Sequence, residues 1–205
     1  MDKYIYSGKT EEEALNLAME DLILSREEML YCIKNEQKGG IFKSKKVEIE
    51  VVRKCDVIEF LKKYLINVVE LMGLSVQLES RERDGMLNIM LYSDNNNILI
   101  GKNGSNMKAL TILAKQTIYN ELGYFYSFTL DVGEYKQKRE KKLEYLAKKI
   151  AKEVVSTKVE VKLDPMNSYE RRLVHNALSS FEGIYTESYG EEPERYVVIK
   201  PREEE

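Results

Sequence analysis

Gly101, Lys102, Asn103 and Gly104 set a cation between two glycines, directly after the apolar run Ile98, Leu99, Ile100 and before a helical pattern carrying Met107, Leu110, Ala114 and Ile118. That spacing suits the holding of a phosphodiester backbone. Glycine has no Cβ, so main-chain N–H groups can come close to a ligand there. The unpaired N–H groups and positive dipole end of a helix that starts just afterwards favour an anion. Lys102 adds a mobile charge. Many Gly-x-x-Gly tetrapeptides are only tight turns, so the elements around this one must decide.

A second pair is Arg171 and His175, the latter the single histidine of the chain. The apolar stripe Leu173, Val174, Ala177, Leu178, Phe181 predicts a helix that sends Arg171, Arg172, His175, Asn176 and Ser179 to the opposite, polar face. Four-residue spacing brings guanidinium and imidazole to one surface, where both can donate to one phosphate. The alternative is that His175 hydrogen-bonds a neighbouring strand, such as one ending at Ile199.

Composition removes other chemistries. Residues 101–105 lack the Gly-x-x-x-x-Gly-Lys-Ser/Thr spacing that wraps nucleoside phosphates, and no paired carboxylates or nucleophile with its base are evident, so the chain does not read as an enzyme. Cys32 and Cys55 have no metal-ligand spacing. Neither a metal site nor a cofactor is expected, and both cysteines read as reduced, partly buried thiols. The formal charge of −3 over 205 residues confines any nucleic-acid binding to local basic patches. Without an apolar signal core or a window of membrane-span length, a cytoplasmic protein is expected.

Elements that would position these residues are legible along the chain. Asp56 and Glu59 read as a capping box before the apolar positions Val57, Phe60, Leu61, Tyr64, Leu65, Val68 and Met72. Strands are expected over 74–80 and 86–92, closed by the turn dipeptide Asp84–Gly85. Then come a short helix, the glycine tetrapeptide, a helix over 105–121 stopped by Gly123, and a strand over 124–132. In the first fifty residues, Thr10 with Glu13 caps a helix bearing Ala14, Leu15, Ala18 and Leu22. Ser25 with Glu28 reads as another helix start. Strands are expected over 4–6, 29–33 and 47–51, with a glycine loop at Gly39 and Gly40 whose lysines read as a solvated hairpin tip. From Glu134 a charged helix carries the stripe Leu143, Leu146, Ala147, Ile150, Ala151 and Val154, and Asn167 with Glu170 caps the helix of the Arg171–His175 pair.

The order α, β, β, short helix, Gly-x-x-Gly, helix, β over residues 54–133 resembles the type II KH domain (αββααβ), in which the loop clamps the backbone of about four nucleotides. By that resemblance Gly101 and Gly104 permit close approach, Lys102 neutralises phosphate, Asn103 offers side-chain hydrogen bonds, and Ile100 and Met107 line or support a groove. The Arg-x-x-x-His element, preceded by Leu163, Asp164, Pro165, Met166 and followed by Thr186 to Pro201, resembles the single-stranded nucleic-acid-binding domain named for that motif.

Over the whole chain these segments resemble the bacterial Jag family of RNA-binding proteins. The resemblance implies an α+β protein of three small domains: an N-terminal α/β unit over 1–53, a KH domain over 54–133 and an Arg-x-x-x-His α+β domain over 134–205. It also implies a cytosolic, non-catalytic regulator that binds single-stranded RNA and is tied to cell elongation, cell-wall synthesis or sporulation. The nucleic-acid-binding residues would be Gly101, Lys102, Asn103, Gly104, Arg171, Arg172, His175 and Arg195. Other partners it allows are single-stranded DNA, a small single-KH-domain protein, a second copy of the chain and a membrane-protein insertase. A protein-interaction adaptor, favoured by the net acidity and the acidic tail at 203–205, is the competing reading. The chain departs from the family in having almost no linker between its first two segments, and in carrying 105–108 without acidic residues.

Overall fold

The computed structural model describes residues 1–37 and 45–202. Gly39, Gly40, Phe42, Lys43 and the acidic tail lie outside the described residues. The fold is α+β, and the chain divides into two compact units, Met1–Gly133 and Glu134–Glu205.

The first unit begins with an antiparallel sheet in the order β1 (Tyr4–Gly8), β3 (Lys46–Arg53), β2 (Met29–Gln37). Helix α1 (Glu11–Leu22) buries Ala14, Leu15 and Ala18 in one cluster with Met29, Val47, Ile49 and Val51 of the sheet. Thr10 Oγ1 accepts from the Glu13 amide at 3.1 Å, and the Glu13 carboxylate accepts from the Lys9 amide at 2.6 Å. The first-turn amide that the helix leaves unpaired and the amide just ahead of the cap are thereby satisfied. Ser25 and Glu28 do form a capping box, but the helix expected there is only the 3-10 turn Arg26–Glu28, because the β2 strand pattern takes over at Met29.

Strand β3 passes directly into α2 (Lys54–Leu71), which buries Val57, Leu61, Leu65 and Val69. The expected capping box at Asp56 is corrected here. The helix starts three residues earlier than a cap at Asp56 would place it, Arg53 is the uncapped flanking residue, and the Asp56 carboxylate accepts from Arg53 Nε at 2.8 Å. The division expected at residue 53 therefore falls at a linkerless junction inside the first unit, whereas residue 133 ends that unit. Cys55, on the first turn of α2, is exposed, not partly buried as expected.

Strands β4 (Val76–Arg83) and β5 (Met86–Ser93) form an antiparallel hairpin through Asp84 and Gly85, whose φ values of 52° and 72° are those of a type I′ turn. Strand β6 (Phe128–Val132) lies parallel to β5, pairing Leu87, Ile89 and Leu91 with Phe128, Leu130 and Val132, all buried. A parallel pair needs a crossover, and α3 (Asn96–Ile100) with α4 (Ser105–Leu122) supplies it. Residues 124–127, expected as strand, precede β6.

In the second unit α5 (Tyr135–Thr157) and α6 (Ser168–Leu178) share a core with an antiparallel sheet ordered β7 (Val161–Lys162), β9 (Tyr196–Pro201), β8 (Ile184–Tyr189). Its members include Leu143, Ala147, Ala151 and Val154 of α5, Val174 and Leu178 of α6, and Ile184, Val197 and Ile199 of the sheet. Leu146, read as part of the α5 stripe, is exposed. No helix among the described residues is long and apolar enough to cross a membrane.

Candidate nucleic-acid interface

The tetrapeptide 101–104 is the hinge of the β5–β6 crossover. Gly101 closes α3 through its amide, which donates to Asn97 O at 2.9 Å, and takes φ 71°. A Cβ there would lie 2.6 Å from Asn106 Cγ and 2.8 Å from Ser105 Oγ, so glycine is required by both the left-handed backbone and the space. Gly104 turns the chain into α4 with φ 80°, and Asn103 is also left-handed at φ 52° and ψ 30°, a region asparagine tolerates better than most residues. Asn106 Nδ2 donates to Ile98 O at 2.8 Å and ties the two helices together behind the loop.

The glycines thus shape the turn, and Gly104 is itself buried. Lys102 and Asn103 are the residues that project, both exposed, and no side chain caps α4. Uncapped first-turn amides, the helix dipole and one exposed ammonium face the same solvent. Met107 lies buried behind them and Ile100 is half-buried. Sequence reading misses Asn106, since its role depends on a hydrogen bond eight residues back.

On α6 the Asn167 cap is as expected: Asn167 Oδ1 accepts from the Tyr169 and Glu170 amides at 3.0 Å, and Glu170 reaches back to the Asn167 amide. The polar face is corrected. Arg171 is only 8% exposed, and its Nη1 donates to Met166 O at 2.9 Å and to Glu192 Oε1 at 2.7 Å. The physical reason is helical geometry. At about 100° per residue Arg171 sits about 20° from Leu178 around the axis, inside the arc that α5 and the sheet cover. The buried line is 171, 174, 178, rotated from the 173, 174, 177, 178 stripe.

His175, half-buried on the same edge, spans to β8, with Nδ1 at 2.6 Å from Thr186 Oγ1 and Nε2 at 2.9 Å from Ser188 Oγ. Thr186 and Ser188 alternate along the strand and so share one face. Burial, helped by the Arg171 guanidinium, pushes the imidazole below its ordinary value. Of the expected contacts on this helix, Arg172 is the exposed one. Arg195 is half-buried in the segment before β9, and its buried Nε has no hydrogen-bond acceptor among the described residues. Sequence reading misses Glu192 because the ion pair closes over twenty-one residues.

Comparison with known proteins places these parts. Residues 141–201 match the family model of the domain named for its Arg-x-x-x-His motif, and residues 6–53 match the Jag N-terminus. The chain is 34% identical over 208 residues to the RNA-binding protein KhpB of Clostridium symbiosum, covering 100% of this chain and 94% of that protein. It is 30% identical over 198 residues to the RNA-binding protein KhpB of Bacillus subtilis, covering 94% and 95%. The protein of that name from Streptococcus pneumoniae is 29% identical over 136 residues, 66% of this chain and 42% of that protein. With both terminal segments matched and near full-length similarity to two relatives that bear the name KhpB, this chain belongs to the Jag family.

Proposed function

We propose that this protein binds single-stranded RNA and is not an enzyme. The carrying observation is the loop at Lys102 and Asn103, two exposed polar side chains at an uncapped helix start, held by glycines that no other residue can replace without strain. The α, β, β, α, α, β order and the parallel β5–β6 pair support reading 54–133 as a type II KH domain. The names of the relatives and the match to the Arg-x-x-x-His domain support RNA as ligand. In the C-terminal unit Arg172 meets phosphate, while Arg171 and His175 position the helix that carries it. A cytoplasmic regulatory role in cell elongation, wall synthesis or sporulation is the finer form of this reading.

Exposed Ile112, Leu113 and Phe125 on and after α4 favour a protein contact as well, with a small KH-domain protein or a second copy as the partner. That contact uses the middle of α4 and the segment beyond it, and RNA binding uses its start, so the two are compatible.

The test replaces Lys102 and Asn103 together by aspartate. Loss of one phosphate contact and its counterion release, with added repulsion, lowers affinity for single-stranded RNA by about tenfold near 0.1 M salt. Because both side chains are exposed, the thermal melt stays native. Unchanged affinity with a native melt overturns the proposal.

A further inference from the structure

The β7–β9–β8 sheet is covered on one side only by its own unit. Ile184, Val197 and Ile199 point into the core with α5 and α6. Register fixes what lies on the other side, because directly paired residues of an antiparallel ladder face the same way. Tyr185 pairs with Lys200, Glu187 and Lys162 both pair with Val198, and Tyr189 pairs with Tyr196. Three tyrosines therefore share the outer face with two lysines, and Tyr185 and Tyr189 are 39% and 38% exposed.

The rings are held in place. Tyr189 and Tyr196 have centroids 6.3 Å apart at 30°. Lys162 Nζ lies 3.8 Å from the Tyr196 centroid, and Lys200 Nζ lies 4.7 Å from that of Tyr189 and 6.0 Å from that of Tyr185. Tyr189 donates its hydroxyl to the Glu187 carboxylate, which also takes Lys200 Nζ at 2.8 Å. Glu160 approaches Lys200 at 3.9 Å. These two carboxylates offset the lysines, so the face is nearly neutral and presents ring surface more than charge.

We propose that this face is a stacking platform for unpaired bases of single-stranded nucleic acid. The inference rests on the RNA-binding reading and adds a second contact surface to it. Every base has a π-face, so rings of this kind bind without regard to sequence. Tyr185 and Tyr189 are four residues apart on one strand, about 14 Å, so the two rings take different bases. A near-neutral platform separates two contributions to affinity. Ring contacts here are insensitive to salt, whereas the Lys102 loop carries the salt-dependent part.

The experiment uses the full chain, a fluorescently labelled mixed-sequence 12-mer RNA and an abasic ribose-phosphate 12-mer, read by anisotropy across a salt series. Tyr185→Leu with Tyr189→Leu keeps apolar cover but removes the rings. Tyr185→Phe with Tyr189→Phe keeps the rings. The leucine variant is expected to lose about fivefold or more in RNA affinity with an unchanged salt slope and unchanged abasic binding, and the phenylalanine variant to bind as the parent does. RNA binding retained by a folded leucine variant, or an equal loss for both oligomers, overturns the platform and leaves RNA binding standing. Failure of the unmodified protein to bind either oligomer overturns both. Should the leucine variant not fold, photocrosslinking of the unmodified protein to 4-thiouridine RNA decides. Crosslinks at Tyr185, Tyr189 or Tyr196 support the platform, and crosslinks confined to 96–122 overturn it.

Discussion

Arg171 occupies a position where the packing of α6 would ordinarily place an apolar side chain, and replacing it by alanine separates structural from ligand-contact roles. Its Nη1 satisfies the carbonyl of buried Met166, and leaving that acceptor without a donor costs about 1 to 3 kcal/mol. Removal of the methylene stem costs about 0.8 kcal/mol per buried CH₂. The Glu192 carboxylate is 57% exposed and returns to water, so loss of the ion pair itself adds about 1 kcal/mol at most. Relief of the ordered arginine side chain offsets about 1 to 2 kcal/mol. The net expectation for Arg171→Ala is about 2 to 4 kcal/mol, for Arg171→Met about half that, and for Glu192→Gln about 1 kcal/mol or less. Hydrogen exchange by mass spectrometry on the full chain resolves the second unit by itself. Protection across α6 and β9 should fall about thirty- to several-hundred-fold in Arg171→Ala while the β4–β5 hairpin is unaffected. Unchanged protection in 168–201 together with weakened RNA binding would refute the reasoning and make Arg171 a ligand contact.

Three further outcomes follow from the geometry. The depressed His175 means that the unfolded chain takes up the proton first, so the stability of the second unit is full above about pH 6.5 and declines as pH falls from there toward the lower folded value. Because the chain has one histidine, urea midpoints between about pH 7.5 and 5.5 should lose most of that slope in His175→Gln, and an equal slope in both proteins would contradict the assignment. Gly101→Ala forces a Cβ to 2.6 Å from Asn106 at φ 71°, and should destabilise the first unit by about 1 to 3 kcal/mol in a thermal melt. Leu178→Ala should cost about 2 to 5 kcal/mol and Leu173→Ala clearly less, since Leu178 is buried and Leu173 is only half-buried; equal midpoints would contradict the rotated stripe.

Local chemistry is readable where one turn of chain decides it. The Thr10 and Asn167 caps, the Asp84–Gly85 turn and the Gly123 stop each depend on neighbours within four residues. What escapes depends on distance. The helix at 54 begins before its apparent cap because β3 delivers the chain directly into it. Arg171 reads as polar surface because its partner Glu192 is remote in sequence and charge alone predicts exposure. The tyrosines of β8 and β9 become one face only through the pairing register, although each strand separately shows alternation.

The placement of the glycine loop inside a parallel crossover has a kinetic meaning. Asn88 and Thr129, forty-one residues apart, are joined by a 2.7 Å side-chain hydrogen bond across the β5–β6 pair, and the entire loop lies within the segment they enclose. Closing so long a segment is entropically slower than forming the adjacent β4–β5 hairpin. A chain refolding from urea is therefore expected to acquire the β4–β5 hairpin before the β5–β6 pairing that fixes the two ends of the crossover, and recovery of RNA binding through the proposed loop should lag recovery of hairpin protection. A chain that has the hairpin but not the β5–β6 pairing then holds the glycine loop only through its local contacts to Asn97 and Ile98, with the crossover around it still open.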